Sequence, residues 1–320
     1  MNNQHTVQRI NEPTTPRLSR EQRWGVVSTI LASLFLSWAP ILGKFAYRGG
    51  VTPFTLAAFR TVVAAMLLWL VFILFWRREI VISWRGLIGC ISVGAVNGFG
   101  SLFYYSSLSR LNASYTALLD STKLLWVVLF LFAAGQALTR LTLVRLGLSM
   151  LGIYLLTRVG PGEMDWLGVT YMIASAAING WHMVLGQWVL ADVPSRTATL
   201  YILTAMACVV GLAWAIQGGS VEPITTTGGA AILGLGLTTA LSRLAMFSAL
   251  QRVGGVETSL GGLLELLVSL ILAFLLLGER LTLVQWGGGM LLLVSMLLLS
   301  RDRGMRLAEG NEPLEWKREQ

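Results

Sequence analysis

Three ionisable side chains stand where an apolar sequence has least reason to place them. Asp120 and Lys123 lie within one apolar run, about 112–134, and Glu265 sits near the middle of another, about 256–277. A charged residue at the centre of a membrane helix costs roughly 2.5–3.5 kcal/mol, so such groups belong in a protein interior or a wet cavity. Asp120 and Lys123 are three residues apart and would share one face of a helix. Two readings follow: an internal ion pair that lets the run insert, or a central charged site whose pairing changes with a bound solute or a proton. Glu265 and Asp120 are the candidates for proton coupling, which needs a carboxylate able to exchange its proton near neutral pH.

Two stripes add polar groups at helical spacing. Ser33, Ser37, Pro40 and Lys44 are four, three and four residues apart, and a shift of 142 residues finds Ser175, Asn179, His182 and Gly186 in the second half. Serines on such a face also serve helix packing alone, whereas Asn179 and His182 are costlier in lipid and are expected to line a cavity. His182 has no Cys, second His or matched carboxylate spacing beside it, so no metal is expected there, and its role is polar lining or a response to pH. Pro40 should kink its helix and free backbone groups. Trp38 is placed to close over a ligand or to pack. Asn97, Tyr104 and Tyr105 offer hydrogen bonds. Arg243, about two turns from the end of its run, either snorkels or holds an anion in two-point geometry. Lys44 and Arg60 are expected to snorkel. Gly94, Gly98, Gly236, Gly261 and Gly262 permit close helix approach.

The elements that must hold these residues are set by composition. With 55% hydrophobic and 12% charged residues and a mean hydropathy of +0.68, the chain has apolar runs reaching the roughly 20 residues that span hydrocarbon. Runs fall at about 24–46, 54–76, 86–108, 112–134, 141–157, 165–190, 197–216, 228–250, 256–277 and 281–299. The phrase Arg140-Leu141-Thr142-Leu143-Val144 returns as Arg280-Leu281-Thr282-Leu283-Val284, and further back the 142-residue shift sets Lys123 opposite Glu265. The expected fold is therefore an all-α membrane protein: ten transmembrane helices as two five-helix repeats, 24–157 and 165–299, between a disordered cytoplasmic tail, 1–23, and a second tail, 300–320. An odd number of spans per copy makes the repeats inverted, an architecture that transporters use with binding near the midplane. With the amino terminus inside, Arg77, Arg78, Arg85, Arg140, Arg145, Arg196 and Arg252 are cytoplasmic, and Lys44, Arg48, Arg110, Arg158 and Arg280 are outside, so both termini are placed in the cytoplasm.

The phrase Gly278-Glu279-Arg280-Leu281-Thr282...Gln285...Gly287 resembles the signature that closes each repeat of EamA-type transporters in the drug/metabolite transporter superfamily. Val51-Thr52-Pro53-Phe54...Phe59-Arg60 carries the same resemblance. Two departures stand out: Thr139 occupies the first copy's equivalent of Glu279, and Leu266 follows Glu265 where the family often has a Pro, which points to a straighter ninth span. The resemblance implies export of amino acids or similar metabolites, and gives Glu265 a general task such as gating or proton coupling.

There is no GxSxG, HExxH or phosphate loop, so neither catalysis nor a cofactor is expected. The Arg residues are dispersed rather than clustered beside aromatics, which argues against nucleic acid. The two cysteines, Cys90 and Cys208, give no disulfide framework. The expectation is a secondary transporter of the bacterial inner membrane, moving a small zwitterionic or organic solute. Its partners would be that solute, the bilayer and protons, with a homodimer left open. The competing readings are a nucleotide-sugar or phosphorylated-solute exchanger and a non-transporting receptor or lipid-handling protein.

Overall fold

The computed structural model describes residues 20–133, 140–158, 165–219 and 223–299; the expected tails, all but Arg20–Arg23, lie outside these, as does Thr139. Every long regular element among the described residues is a helix: α1 Arg20–Leu36, α2 Ala39–Arg48, α3 Pro53–Phe75, α4 Trp84–Arg110, α5 Ala113–Asp120, α6 Lys123–Ala133, α7 Arg140–Arg158, α8 Trp166–Asp192, α9 Ser195–Ile216, α10 Thr226–Leu272 and α11 Leu283–Leu299.

Local chemistry explains the starts. Thr52, Ser83, Asp165 and Thr225 each accept a hydrogen bond from the backbone N–H three residues on, at 3.4, 3.2, 3.0 and 3.2 Å, capping α3, α4, α8 and α10. At α11, Thr282 and Gln285 form a reciprocal box, Thr282 N donating to Gln285 Oε1 at 2.8 Å and Gln285 N to Thr282 Oγ1 at 3.4 Å. The Leu-Thr-Leu-Val-Gln phrase is thus a helix start.

Two expected spans are interrupted. The first breaks at Ser37 and Trp38, just ahead of Pro40, which lacks the N–H that would continue α1 into α2. The Ser37 carbonyl at that break accepts from the Ser269 hydroxyl at 3.1 Å. The run 112–134 breaks at Ser121 and Thr122, whose hydroxyls turn back onto the carbonyls of Leu118 and Leu119 at 2.6 and 2.7 Å. Asp120 and Lys123 therefore flank a turn rather than sharing one unbroken helix. Conversely, the expected span 228–250 and residues 256–272 of the next one belong to one helical element, α10, and a π-helical turn at Ala273–Leu277 follows it. Arg243 and Glu265 would stand about 33 Å apart along a straight helix, yet both line one cavity, so α10 reverses direction between them.

Among the described residues, five helical stretches are long and apolar enough to cross a membrane, Arg23–Arg48, Pro53–Phe75, Trp84–Arg110, Ser195–Ile216 and Thr226–Ala249, with shorter apolar helices at Leu143–Leu155, Leu264–Leu277 and Leu283–Ser295. Large apolar side chains such as Leu74, Phe75, Leu212, Ile216 and Leu233 are exposed on the outer faces. In water such a surface would be an aggregation hazard; against lipid it is a solvent match. The chain is an integral, multi-pass membrane protein.

Helix pairs cross between the two halves of the sequence. Helices α3 and α9 run antiparallel: Phe59 meets Trp214, Trp69 bonds Thr204, and Tyr201 bonds the Ile80 carbonyl beyond the end of α3. Helices α4 and α9 run parallel, with Gly94 against Ile202 and Ala205 and Gly98 against Met206 and Val209. Gly236 of α10 meets Arg60 and Val63 of α3 in the same way. A shift of 142 residues maps Gly94 onto Gly236, Arg60 onto Ile202 and Val63 onto Ala205, so the two contacts are copies of each other. Helices α7 and α11 pack through Arg145, which is 1% exposed and donates from Nε to the Ser295 carbonyl at 3.1 Å. Arg145, counted from the sequence among the cytoplasmic basic residues, is buried between the two helices.

Candidate functional site

The turn after α5 and the returning half of α10 bring the three charges together. Lys123 Nζ is 2.7 Å from Asp120 Oδ2 and 3.6 Å from Glu265 Oε1. Each side chain keeps between 12% and 21% of its surface accessible, because the group faces a cavity rather than packed protein. One ammonium thus bridges two carboxylates, and Asp120 Oδ1 is left without a protein partner. Such a centre can exchange partners: a proton or a ligand cation at either carboxylate frees Lys123 for the other.

Helix α5, which carries Asp120, is anchored from the far half of the chain. The Glu279 carboxylate accepts from Ala113 N and Ser114 N at 2.8 Å each and from Ser114 Oγ at 2.7 Å. This places a negative charge on the positive end of the α5 dipole and satisfies donors that Asn112, the formal cap residue, does not reach. The Gly-Glu-Arg phrase therefore supplies a positioning residue for the charged centre, a role the sequence did not reveal.

Two guanidiniums complete the basic side. Arg60, 7% exposed, donates to Ser101 Oγ at 2.6 Å and to Thr239 Oγ1 at 3.0 Å, and lies 4.5 Å over the Tyr105 ring. The expectation that it snorkels to a membrane surface is corrected: it is held at the centre by three neighbours. Ser101 and Thr239 are 41 and 179 residues away in sequence, out of reach of periodicity within one span. Arg243 donates to Asn97 Oδ1 at 3.3 Å.

Helix α8 brings His182 and Asn179 to the same space. Asn179 bonds Ser175 Oγ at 3.3 Å, and Ser175 bonds the Gly100 carbonyl at 2.9 Å, tying α8 to α4. His182, 3% exposed, has an Nε2 without a protein partner. Lys123, Glu265, Asp120, Asn179, His182, Asn97, Tyr104 and Arg243 all line one cavity of about 160 Å³, as does Arg60. A void of about 20 Å³ beside it reaches Pro40 and Ser269. Ser37 and Trp38 lie elsewhere: Ser37 is buried with its hydroxyl on the Leu34 carbonyl at 2.7 Å, and Trp38 is 38% exposed at the α1–α2 break. Lys44 is likewise absent from the lining.

A multi-pass helical membrane protein with a polar, charge-lined interior cavity is the class that fold and site define. The model of the EamA-like transporter family matches the chain twice, at residues 23–158 and 166–301, and the chain belongs to that family. A solved structure, described only as the crystal structure of a protein, covers 88% of this chain and 98% of its own at 20% identity with a TM-score of 0.64, a likeness of fold alone. No curated protein matches the chain significantly.

Proposed function

We propose that the protein is a secondary transporter that carries a small, charged or zwitterionic organic solute by alternating access, with the charged centre at Lys123, Asp120 and Glu265 as its switching element. The observation that carries this reading is the meeting of Lys123 and Glu265: equivalent positions of the two halves, opposite in charge, 3.6 Å apart in one cavity. A site built equally by both halves is what rocking of one half against the other would expose to each side in turn.

The ten-span, inverted-repeat topology, with repeats at 24–157 and 165–299, is supported by the helix directions. Helix α4 is parallel to α9, α9 antiparallel to α3, and α3 parallel to the first part of α10, so α4 and its copy in α10 oppose each other. The basic-inside rule then puts both termini in the cytoplasm, with the Arg196–Glu79 pair on the inner side and Arg110–Asp165 on the outer. A bacterial inner membrane suits this arrangement, and export is the proposed direction, on the family's resemblance. The cavity of about 160 Å³ is below the roughly 300–1,000 Å³ of drug-sized sites, which favours a small solute over a nucleotide-linked sugar.

Uptake and counterflow in proteoliposomes against a metabolite panel test the reading, repeated with Lys123→Ala and Glu265→Gln. A solute whose counterflow falls at least about tenfold in both variants supports it. No counterflow with any solute, or full activity in both variants, contradicts it.

A further inference from the structure

We propose that Arg60 and Arg243 form a subsite for the carboxylate of a small monoanionic solute. The proposal deepens the transporter reading and rests on it for its consequence in flux. Asn97 and Ser101 are one turn apart on α4, hence neighbours on one face, and each holds one of the two guanidiniums, Arg243 at 3.3 Å and Arg60 at 2.6 Å. Thr239, one turn before Arg243 on α10, accepts from Arg60 at 3.0 Å. Residues from both halves of the chain thus converge two guanidiniums on one patch of the cavity wall.

Among the described residues the hydrogen-bond partners of both groups, Ser101, Thr239 and Asn97, are neutral. Among the described residues neither Arg60 nor Arg243 is in an ion pair, and the two carboxylates of the lining pair with Lys123. Three buried donors of the patch, Arg60 Nε, Arg243 Nε and Asn97 Nδ2, have no protein acceptor, and leaving such donors empty is costly. The lining holds three cations, Arg60, Lys123 and Arg243, against two carboxylates, Asp120 and Glu265, so one positive charge is in excess. A monoanion cancels it, a zwitterion leaves it, and a cation adds to it. The chemistry is also right for a carboxylate: planar guanidiniums offer paired N–H groups that match its two oxygens. Stacking on Tyr105 keeps the Arg60 plane in place before any ligand arrives.

The test is calorimetric binding to the full-length protein in lipid nanodiscs. Acetate, lactate and phenyllactate would be compared with lactamide, alanine, ethanolamine and methyl phosphate. At least one monocarboxylate should bind about tenfold or more tightly than lactamide and alanine. Arg60→Gln and Arg243→Gln should each lower that affinity about tenfold, and Arg243→Lys should retain part of it. Should the Gln variants fail to fold, the ligand series on the unaltered protein decides alone. Alanine, lactamide or ethanolamine binding as well as the monocarboxylates overturns the proposal. So do methyl phosphate binding tightest, no monocarboxylate binding, and Gln variants of full affinity. Carboxylate binding without counterflow would sink the transport reading and leave the subsite; counterflow of alanine or ethanolamine without carboxylate binding would do the reverse.

Discussion

Lys123 and Glu265 meet at 3.6 Å although each occupies, in its own half of the chain, the position that the other occupies in the opposite half. A duplicated scaffold has acquired opposite charges at one equivalent place. Removing Lys123 leaves Asp120 and Glu265 without their ion-pair partner, and losing one partner of a buried pair costs about 3–5 kcal/mol. Lys123→Ala should therefore lower the melting temperature sharply, and adding Glu265→Gln should recover part of the loss. A four-protein cycle by thermal unfolding should give a coupling of about 1 kcal/mol or more; additivity within about 0.5 kcal/mol would mean that the two groups do not interact.

The glycines at the cross-half contacts make a second test. A methyl on Gly94 would strike the Ile202 carbonyl oxygen, a backbone atom that cannot turn away, whereas a methyl on Gly43 would meet the end of the Leu108 side chain at 2.5 Å, which can. Gly94→Ala should cost about 1–3 kcal/mol, and Gly43→Ala distinctly less. Equal melting temperatures for the two variants would show that α4 and α9 are not packed as described.

Glu279 caps α5 with three short hydrogen bonds. Glu279→Ala should cost about 1–2 kcal/mol through lost capping. Because α5 carries Asp120, it should also weaken solute binding without altering which solutes bind. A change of selectivity would instead place Glu279 in the site.

Asp165 supplies the pH dependence. The Gly168 backbone N–H, then the Arg110 side chain, hold its carboxyl below the usual carboxylate range. A carboxyl depressed in the folded state stabilises above its unfolded value and loses that contribution as pH falls through the folded one. The unaltered protein should melt higher than Asp165→Asn near neutral pH, and the gap should close on acidification. A gap that widens in acid would contradict the assignment.

The repeat and the charged residues within apolar runs were legible because both are properties of the linear sequence: a constant shift paired Lys123 with Glu265 before any geometry was known. The burial of Arg60 and of Arg145 is hidden from the sequence for one reason. Each lies near the end of an apolar run, where a long basic side chain ordinarily reaches the membrane surface, and each is held instead by residues remote in sequence: Ser101 and Thr239 for Arg60, Ser295 for Arg145. The Pro40 break could be read from the missing N–H. The break at Ser121 and Thr122 could not, because hydroxyl side chains occupy helix interiors as readily as they turn back on the chain.

Alternating access through the Lys123–Glu265 cavity is tested most directly by thiol accessibility. In a background with Cys90→Ala and Cys208→Ala, Met183→Cys places one thiol in the cavity wall. An impermeant maleimide is then applied to one face of reconstituted membranes at a time, with and without solute. The account predicts labelling from both faces, with the balance between them shifted by solute; labelling from a single face under every condition would contradict it.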